Sequence, residues 1–331
     1  MKRIVTTSVA TAVAVLVLAG CSSGTPDAAE PVDGPISVSL LTTYNGLPFY
    51  TAMQCGAEDA ADELGGDITI SVDGPSRGMN AADQIPVLEG VVNRGPDGII
   101  FVPADPVAMQ APLQSAVNAG IQVVTTDATL DTEIALAQFH GDNEAGGKLA
   151  ADRLIEVAGD RAGKVLVLDN RPGLPITNER ADGFIDALSA ADTELEILEV
   201  QYFEDDPTKA ATIVQSSLEA NPDIVGIFAT SEAGATGTVS GLQGTGAEDV
   251  SVIAYDAGPT LVDALRAGQL DALVAQGSYT QGYDALIALV RSIRGEEKPE
   301  QFDNIVDNAL VTADNVDDPE IAKLLYPDSC S

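Results

Sequence analysis

The 331-residue chain is 45% hydrophobic and strongly acidic, with 51 Asp and Glu against 16 Lys and Arg and a formal net charge of −35. A surface so short of cations repels a phosphate backbone, and no basic stripe offers the counterion release that such binding requires, so nucleic acid is excluded as a partner. With one histidine and three scattered cysteines there is no His/Cys metal centre, the carboxylates lack calcium-loop spacing, and nothing calls for a cofactor.

Lys2 and Arg3 precede an apolar stretch from Val9 to Leu18 that ends in small residues and Cys21. A basic flank, a short apolar run and a small-residue cleavage site are the parts of an export signal, and about 20 apolar residues would be needed to span a bilayer. Residues 1–20 are therefore expected to be a signal peptide. Leu18-Ala19-Gly20-Cys21 resembles the bacterial lipobox, which implies that Cys21 carries acyl chains and holds a lipoprotein on the outer face of the cytoplasmic membrane. The Ser-, Gly-, Pro- and Asp-rich residues 21–35 read as a flexible tether. The rest of the chain is long enough for two cored domains of about 100–200 residues each.

From Ile36 onward short β-rich runs alternate with helical patterns. Ile36–Leu41, Ile68–Val72, Gly98–Val102 and Gln122–Thr125 read as buried strands, with helices over Ala81–Arg94 and Val107–Ala119 among the intervening segments. The alternation restarts at Lys164–Leu168 and continues through Leu195–Val200, Ile224–Ala229, Ser251–Tyr255 and Leu273–Gln276. Local echoes support a duplicated plan. Pro96-Asp97 and Pro222-Asp223 introduce strands ending at Phe101 and Phe228, and Asp127 and Asp256 close equivalent fourth strands. Beyond them lie a helix at Gln281–Arg294, a strand near Ala309–Thr312 and a short helix from Pro319. The pattern is α/β, with two doubly wound parallel sheets, and ligands of such sheets sit beyond the carboxyl ends of the strands. Besides Cys21 only Cys55 and Cys330 remain. In an exported protein such a pair ordinarily oxidises, which predicts a Cys55–Cys330 disulfide, the alternative being two buried thiols.

Four segments carry a family resemblance: Asn45 with Pro48-Phe49-Tyr50, the strand end Val123–Asp127, the stretch His140–Gly147, and Arg180-Ala181-Asp182-Gly183-Phe184. They resemble the ribose-binding branch of the type I periplasmic binding proteins, over a span from about Ile36 to at least Gln276. The resemblance implies two lobes joined by a multi-strand hinge, one formed by residues 36–139 and 277–308, the other by 140–276 with the tail 309–331. It implies a monomer that is not an enzyme, captures a small sugar or polyol and delivers it to the permease of an ABC importer. Phe49 and Tyr50, with Tyr44 beside them, would stack on the apolar face of a sugar ring, and Asn45 would hydrogen-bond to it, although Gly46 and Leu47 are inserted relative to the family's pattern. Asp127 would accept two hydroxyl hydrogens, while the arginine that follows it in the family is Ala128 here. Asn143 lies in the crossover motif, Arg180 would reach the ligand from the second lobe, and Ser231-Glu232, Asp256 and Gln276 occupy further polar contact positions. Ser231 departs from an asparagine, and a hydroxyl cannot match an amide's fixed donor and acceptor pair.

Taken singly, these residues have other readings. An isolated Asp at a strand end is more often a cap or turn residue, most arginines are surface groups, and most aromatics are core. Ser76 reads as a cleft hydrogen-bonder. Arg77 and Arg171 also fall in strand-end loops, and if either enters the cleft a sugar acid or other anion becomes a candidate ligand beside the neutral sugar. A sensor receptor in place of a permease would use the same hinge closure. Gly74-Pro75-Ser76-Arg77-Gly78 fits the hydrolase nucleophile elbow and precedes Asp127 and His140 in hydrolase order, but a helix should begin at once after the serine, and the run to Asp83 reads as a loop.

Overall fold

The computed structural model describes residues 34–76, 80–130, 132–247, 249–296 and 298–330; the signal peptide, Cys21, the tether up to residue 33 and Arg77 lie outside them. In chain order the elements of the first half are β1 (Ile36–Leu41), α1 (Pro48–Leu64), β2 (Ile68–Asp73), α2 (Ala81–Arg94), β3 (Gly98–Phe101), α3 (Gln110–Asn118), β4 (Gln122–Thr126) and β5 (Gln138–Gly141). Next come α4 (Asn143–Ala158), β6 (Gly163–Asp169), α5 (Pro175–Ala190), β7 (Leu195–Ile197), β8 (Gln201–Tyr202), α6 (Pro207–Ala220), β9 (Ile224–Ala229) and α7 (Glu232–Thr245). The chain then forms β10 (Ser251–Tyr255), α8 (Pro259–Arg266), β11 (Ala272–Ala275), α9 (Ser278–Ile293), β12 (Asp303–Val306), β13 (Ala309–Val311) and α10 (Pro319–Ala322).

These strands make two sheets. The first has the order β12-β5-β4-β3-β1-β2 and is parallel throughout. The second runs β13-β11-β10-β9-β6-β7 with β8 also on β6, and only β13 is antiparallel. Strands β3, Gly-Ile-Ile-Phe, and β11, Ala-Leu-Val-Ala, are apolar and buried at every position, as a sheet covered by helices on both sides requires. Proline opens α1, α5, α6, α8 and α10, at a first-turn position whose N–H has no helical acceptor anyway. The side chains of Asn80, Asp142 and Asp206 cap α2, α4 and α6.

The chain passes between the sheets three times: from β5 to α4, from β11 to α9, and from β12 to β13. Helix α9 returns to the first sheet and lies on α1, where Gly56 and Gly282 let the two backbones touch; a Cβ at either would overlap a carbonyl of the other helix. The tail after β13 makes a fourth, covalent link, because Cys330 is bonded to Cys55 of α1 with Cα atoms 5.2 Å apart. The expected disulfide is thus present.

Four expectations for secondary structure change. The strand expected over Leu195–Val200 ends at Ile197 as β7, and pairing with β6 resumes only at Gln201 as β8: Gly163 pairs with Leu195 but Leu168 with Gln201, so this side gains one residue and the ladder breaks at a bulge. Helix α3 starts at Gln110 rather than Val107 because Asp105 Oδ1 takes the amides of Val107 and Ala108 into a turn, at 2.9 and 2.7 Å. Helix α9 starts at Ser278, ahead of the expected Gln281. Strands β5 and β12 were unforeseen: they pair at one edge of the first sheet, and residues such as Gln138, His140, Asp303 and Asn304 break any apolar run.

A disulfide typically stabilises a fold by roughly 2–4 kcal/mol. Reduction should therefore lower the melting temperature by about 4–8 °C, read as the difference between oxidised and reduced samples in a thermal melt; an unchanged melt would show that the bridge adds nothing to stability.

Candidate functional site

A cavity of about 740 Å³ opens at the carboxyl ends of the strands. Eight strand ends supply wall residues: Thr43 after β1, Pro103 and Ala104 after β3, Asp127 after β4, Asn170 and Arg171 after β6, Glu204 and Asp205 after β8, Ser231 and Glu232 after β9, Asp256 after β10, and Gln276 after β11. Open parallel sheets form ligand crevices at this end because successive connections leave in opposite directions. A smaller cavity of about 390 Å³ adjoins it, sharing Asp127, Pro103, Ala104, Leu174 and Ile176, and is lined in addition by His140, Asp142, Asn143 and Glu179.

Asp127 and Asp256 adopt the same unusual backbone, with φ of 66° and 78°. In each case the N–H turns to the adjacent strand, Asp127 N donating to Phe139 O at 3.0 Å and Asp256 N to Val274 O at 2.9 Å. A left-handed aspartate costs roughly 1–2 kcal/mol, and here the neighbouring strand holds it so that the side chain leaves the sheet toward the cavity. Gln281 Oε1 also accepts from Asp127 N at 3.0 Å, tying α9 to this corner.

Arg180 is only 3% exposed. Its Nε donates to Asn143 Oδ1 at 3.0 Å, Nη1 to Thr230 O at 3.1 Å and Nη2 to Gln276 Oε1 at 3.0 Å, and its guanidinium lies 4.0 Å from the Tyr255 ring centroid. Helix α5 is brought to this depth by packing on α4 at Gly147 and Gly183, where a Cβ would overlap the facing backbone, while Gly146 leaves the room that Tyr255 Oη occupies. The Asn143-to-Gly147 motif is thus a socket for Arg180 and Tyr255. Stacking of Phe184 on Phe228, with centroids 4.4 Å apart, fixes the same helix to β9.

Gln276 extends the network by donating from Nε2 to Asp256 Oδ1 at 2.7 Å, and Asp256 Oδ2 accepts the Glu232 N–H at 3.0 Å. On the opposite wall Phe49 and Tyr50 meet edge to face at 5.2 Å, and Tyr50 Oη bonds to Thr43 Oγ1 at 2.6 Å and donates to Asp127 Oδ2 at 3.4 Å.

Other expected residues stand apart from the cavity. Asn45 is exposed and its Nδ2 donates to Gly74 O at 2.8 Å, bracing one loop against the next, while Leu47, one of the two inserted residues, lines the wall instead. Tyr44 is half-buried beside it, outside the wall. Ser76 is exposed in the bend after β2, and Arg77 lies outside the described residues. The hydrolase arrangement is not assembled: α2 begins only at Ala81, and His140 Nε2 is engaged by Asp303 Oδ1 at 2.7 Å.

Several wall residues escaped the sequence. Thr177 lies three residues before Arg180 on α5; its Oγ1 and that of Ser231 (Oγ) are buried without a hydrogen-bond partner among the described residues. A buried unpaired hydroxyl is costly, so both are poised for a ligand. Glu204 and Asp205 are consecutive residues with φ of 55° and 58°, and Asn170 donates to Asp205 Oδ1 at 3.3 Å. Adjacent positive-φ residues are strained, a feature that composition does not reveal.

Charge is unevenly balanced. Burial pushes Asp127 up to about 6, opposed by Arg180 and reinforced by Asp256, and burial with the charges of Asp256 and Asp328 pushes Glu232 up to about 7. Burial also raises Asp205, with Arg171 opposing it. At the paired strands β5 and β12 burial would raise Asp303, but hydrogen bonds from Gln138 and His140 prevail and lower it.

A family model described as a periplasmic binding protein domain matches residues 38–297. The ribose import binding protein of Salmonella typhimurium is 29% identical over 284 residues, 86% of this chain and 93% of that protein. An ABC transporter solute-binding protein from Agrobacterium vitis, solved with α-D-tagatopyranose, superposes with a TM-score of 0.81 at 30% identity, covering 88% of this chain and 99% of that one. A second from the same organism, solved with D-fucose, gives 0.78 at 31%, covering 88% and 100%. The chain belongs to the periplasmic binding protein domain family, as a two-lobed member similar to the solute-binding proteins of sugar ABC transporters.

Proposed function

We propose that the chain captures a small neutral sugar or polyol in the cavity at its strand ends and passes it to the permease of an ABC importer, held by an acylated Cys21 to the outer face of the cytoplasmic membrane. The observation that carries this reading is the pair of left-handed aspartates, Asp127 and Asp256, projecting from separate sheets into one cavity that also holds Arg180, Gln276 and the Phe49–Tyr50 wall. Carbohydrates present many hydroxyls and few charges. A desolvated site must pair each hydroxyl, and carboxylates accept from two while an amide or guanidinium donates to others.

The similar proteins named above are described with ribose, tagatose and fucose, all neutral. A sugar acid is disfavoured here. Asp127, Glu204, Asp205, Glu232 and Asp256 share the cavity lining with Arg171 and Arg180, and Arg180 gives three of its five N–H donors to protein acceptors. The lobes 36–139 with 277–308 and 140–276 with 309–331 then act as the two jaws, and a solute that touches both stabilises their closed arrangement.

Calorimetric titration of the chain lacking residues 1–21 with D-ribose, D-allose, D-tagatose, D-fucose and D-galacturonate tests this. At least one neutral sugar is expected to bind, with Asp127→Asn and Asp256→Asn each weakening it by about 10- to 100-fold, the worth of a hydrogen bond to a charged group; binding of galacturonate alone would replace the neutral-sugar reading with the acid one.

Asp127 adds a pH signature. Its folded value of about 6 exceeds its ordinary 3.8, so the folded state holds a proton that the unfolded chain has released between those values. The residue therefore costs stability above about pH 6 and none below about pH 4. Without ligand, Asp127→Asn should melt higher than the wild type at pH 8 and together with it at pH 4. Sugar affinity of the wild type should weaken as pH falls through 6, because a protonated Asp127 loses its acceptor role. A melting difference independent of pH would contradict the assignment.

A further inference from the structure

The family match ends at residue 297, yet the tail beyond β13 reaches the cavity's supports. Between β13 on the second sheet and Cys330 on α1 lies Tyr326, only 3% exposed. Its N–H donates to Ala257 O at 3.0 Å, fixing it beside Asp256. Its Oη accepts the Gln276 N–H at 3.1 Å and donates to Asp256 Oδ1 at 3.4 Å. Its ring packs edge to face on Phe49 at 5.4 Å. One side chain thus touches the aromatic wall of the first lobe and two polar strand-end groups of the second without itself lining the cavity.

The contacts define what it controls. A carboxylate has about four acceptor positions. Those of Asp256 receive Gln276 Nε2, Tyr326 Oη and the Glu232 N–H, which fixes the plane of the carboxylate and leaves a narrow direction for a ligand hydroxyl. The same hydroxyl holds the backbone of Gln276, whose Oε1 in turn anchors Arg180. The disulfide at Cys330 and the Ala257 contact hold the segment at both ends.

We infer that Tyr326, delivered by the disulfide-anchored C-terminal tail, is a positioning residue that fixes the Asp256 carboxylate and the Phe49 ring relative to each other and so sets which sugar stereoisomer the site accepts. The inference rests on the cavity being a sugar site, as proposed above, and the test separates the two.

Tyr326→Phe keeps the ring on Phe49 and removes the hydroxyl. The wild type and the variant are titrated with D-ribose, D-allose, D-arabinose, D-tagatose and D-fucose, and amide hydrogen exchange at Gln276 is followed in the sugar-free protein. For the best-bound sugar Kd is expected to rise about tenfold, equivalent to about 1.4 kcal/mol, with the ratio of Kd between the two best sugars changed at least about threefold and the melting temperature nearly unchanged. Equal Kd values, or a uniform loss for every sugar that follows a fallen melting temperature, would overturn the assignment. If the wild type binds none of the five, the sugar reading fails, and the exchange decides for Tyr326: faster exchange confined to Gln276 supports it and unchanged exchange rejects it. Should Tyr326→Phe not fold, 3-fluorotyrosine at 326 keeps the shape and strengthens the donor, and an unaltered Kd ratio and Gln276 exchange in that protein would reject the assignment while a shift in either supports it.

Discussion

A guanidinium removed from water must be surrounded by acceptors, and this requirement organises the second lobe. Among the described residues Arg180 has no carboxylate in hydrogen-bond contact; Asn143, the Thr230 carbonyl and Gln276 accept from it, and the face of Tyr255 covers it. Each acceptor sits at the end of a different element: the start of α4, the end of β9 and the end of β11. Three strand or helix ends must therefore converge to within about 3 Å of one group. The glycines of α4 and α5 follow from the same demand, since the helices must nearly touch for Arg180 to reach its socket. The charge, left without a local counterion, is instead felt by Asp127, where it opposes the effect of burial.

The features of this network that could be read in the sequence are those with a local spacing. Asp at the end of an apolar run, and Arg followed three residues later by Gly-Phe, are compact patterns whose residues act within one turn or one strand end. Glycine at 146 and 147 is visible for the same reason. What stayed hidden depends on pairing across the chain. Strands β5 and β12 exist because they pair with one another, and neither has an apolar pattern of its own. Thr177 is an ordinary helix threonine until its burial leaves the hydroxyl unpaired. Asn45 was misplaced because the inserted Gly46 and Leu47 shift the loop, so that Leu47 takes the cavity position. Tyr326 follows Leu324-Leu325 at the far end of the chain, and nothing local ties it to Phe49, far away in sequence.

The two strand-end aspartates show how a duplicated plan becomes a site with two sides. Each occupies a left-handed backbone and passes its N–H to the next strand, so the carboxylate cannot cap its own turn and is turned outward. Their surroundings then diverge. Asp256 is held by three bonds, from Gln276, Glu232 and Tyr326, whereas Asp127 has one long contact from Tyr50. On the proposed sugar-binding reading, a rigid acceptor on one jaw and a looser, desolvated one on the other would suit a closing cleft: the first would define orientation before closure, and the second would gain its partners only when a solute bridges the gap.

Closure of that kind needs joints that bend without loosening the walls. Three chain crossings lie together where β5, β11 and β12 leave their sheets, and at this hinge His140 and Gln138 clasp Asp303 across neighbouring edge strands. The fourth connection differs, because the tail binds α1 through Cys330 and presses Tyr326 between Phe49 and Asp256. A link close to the ligand groups restricts how far they separate on opening, while links at the hinge restrict only the axis. The walls of the cavity can then stay nearly preformed in the open state, and less of the binding energy is consumed in ordering them when the solute arrives.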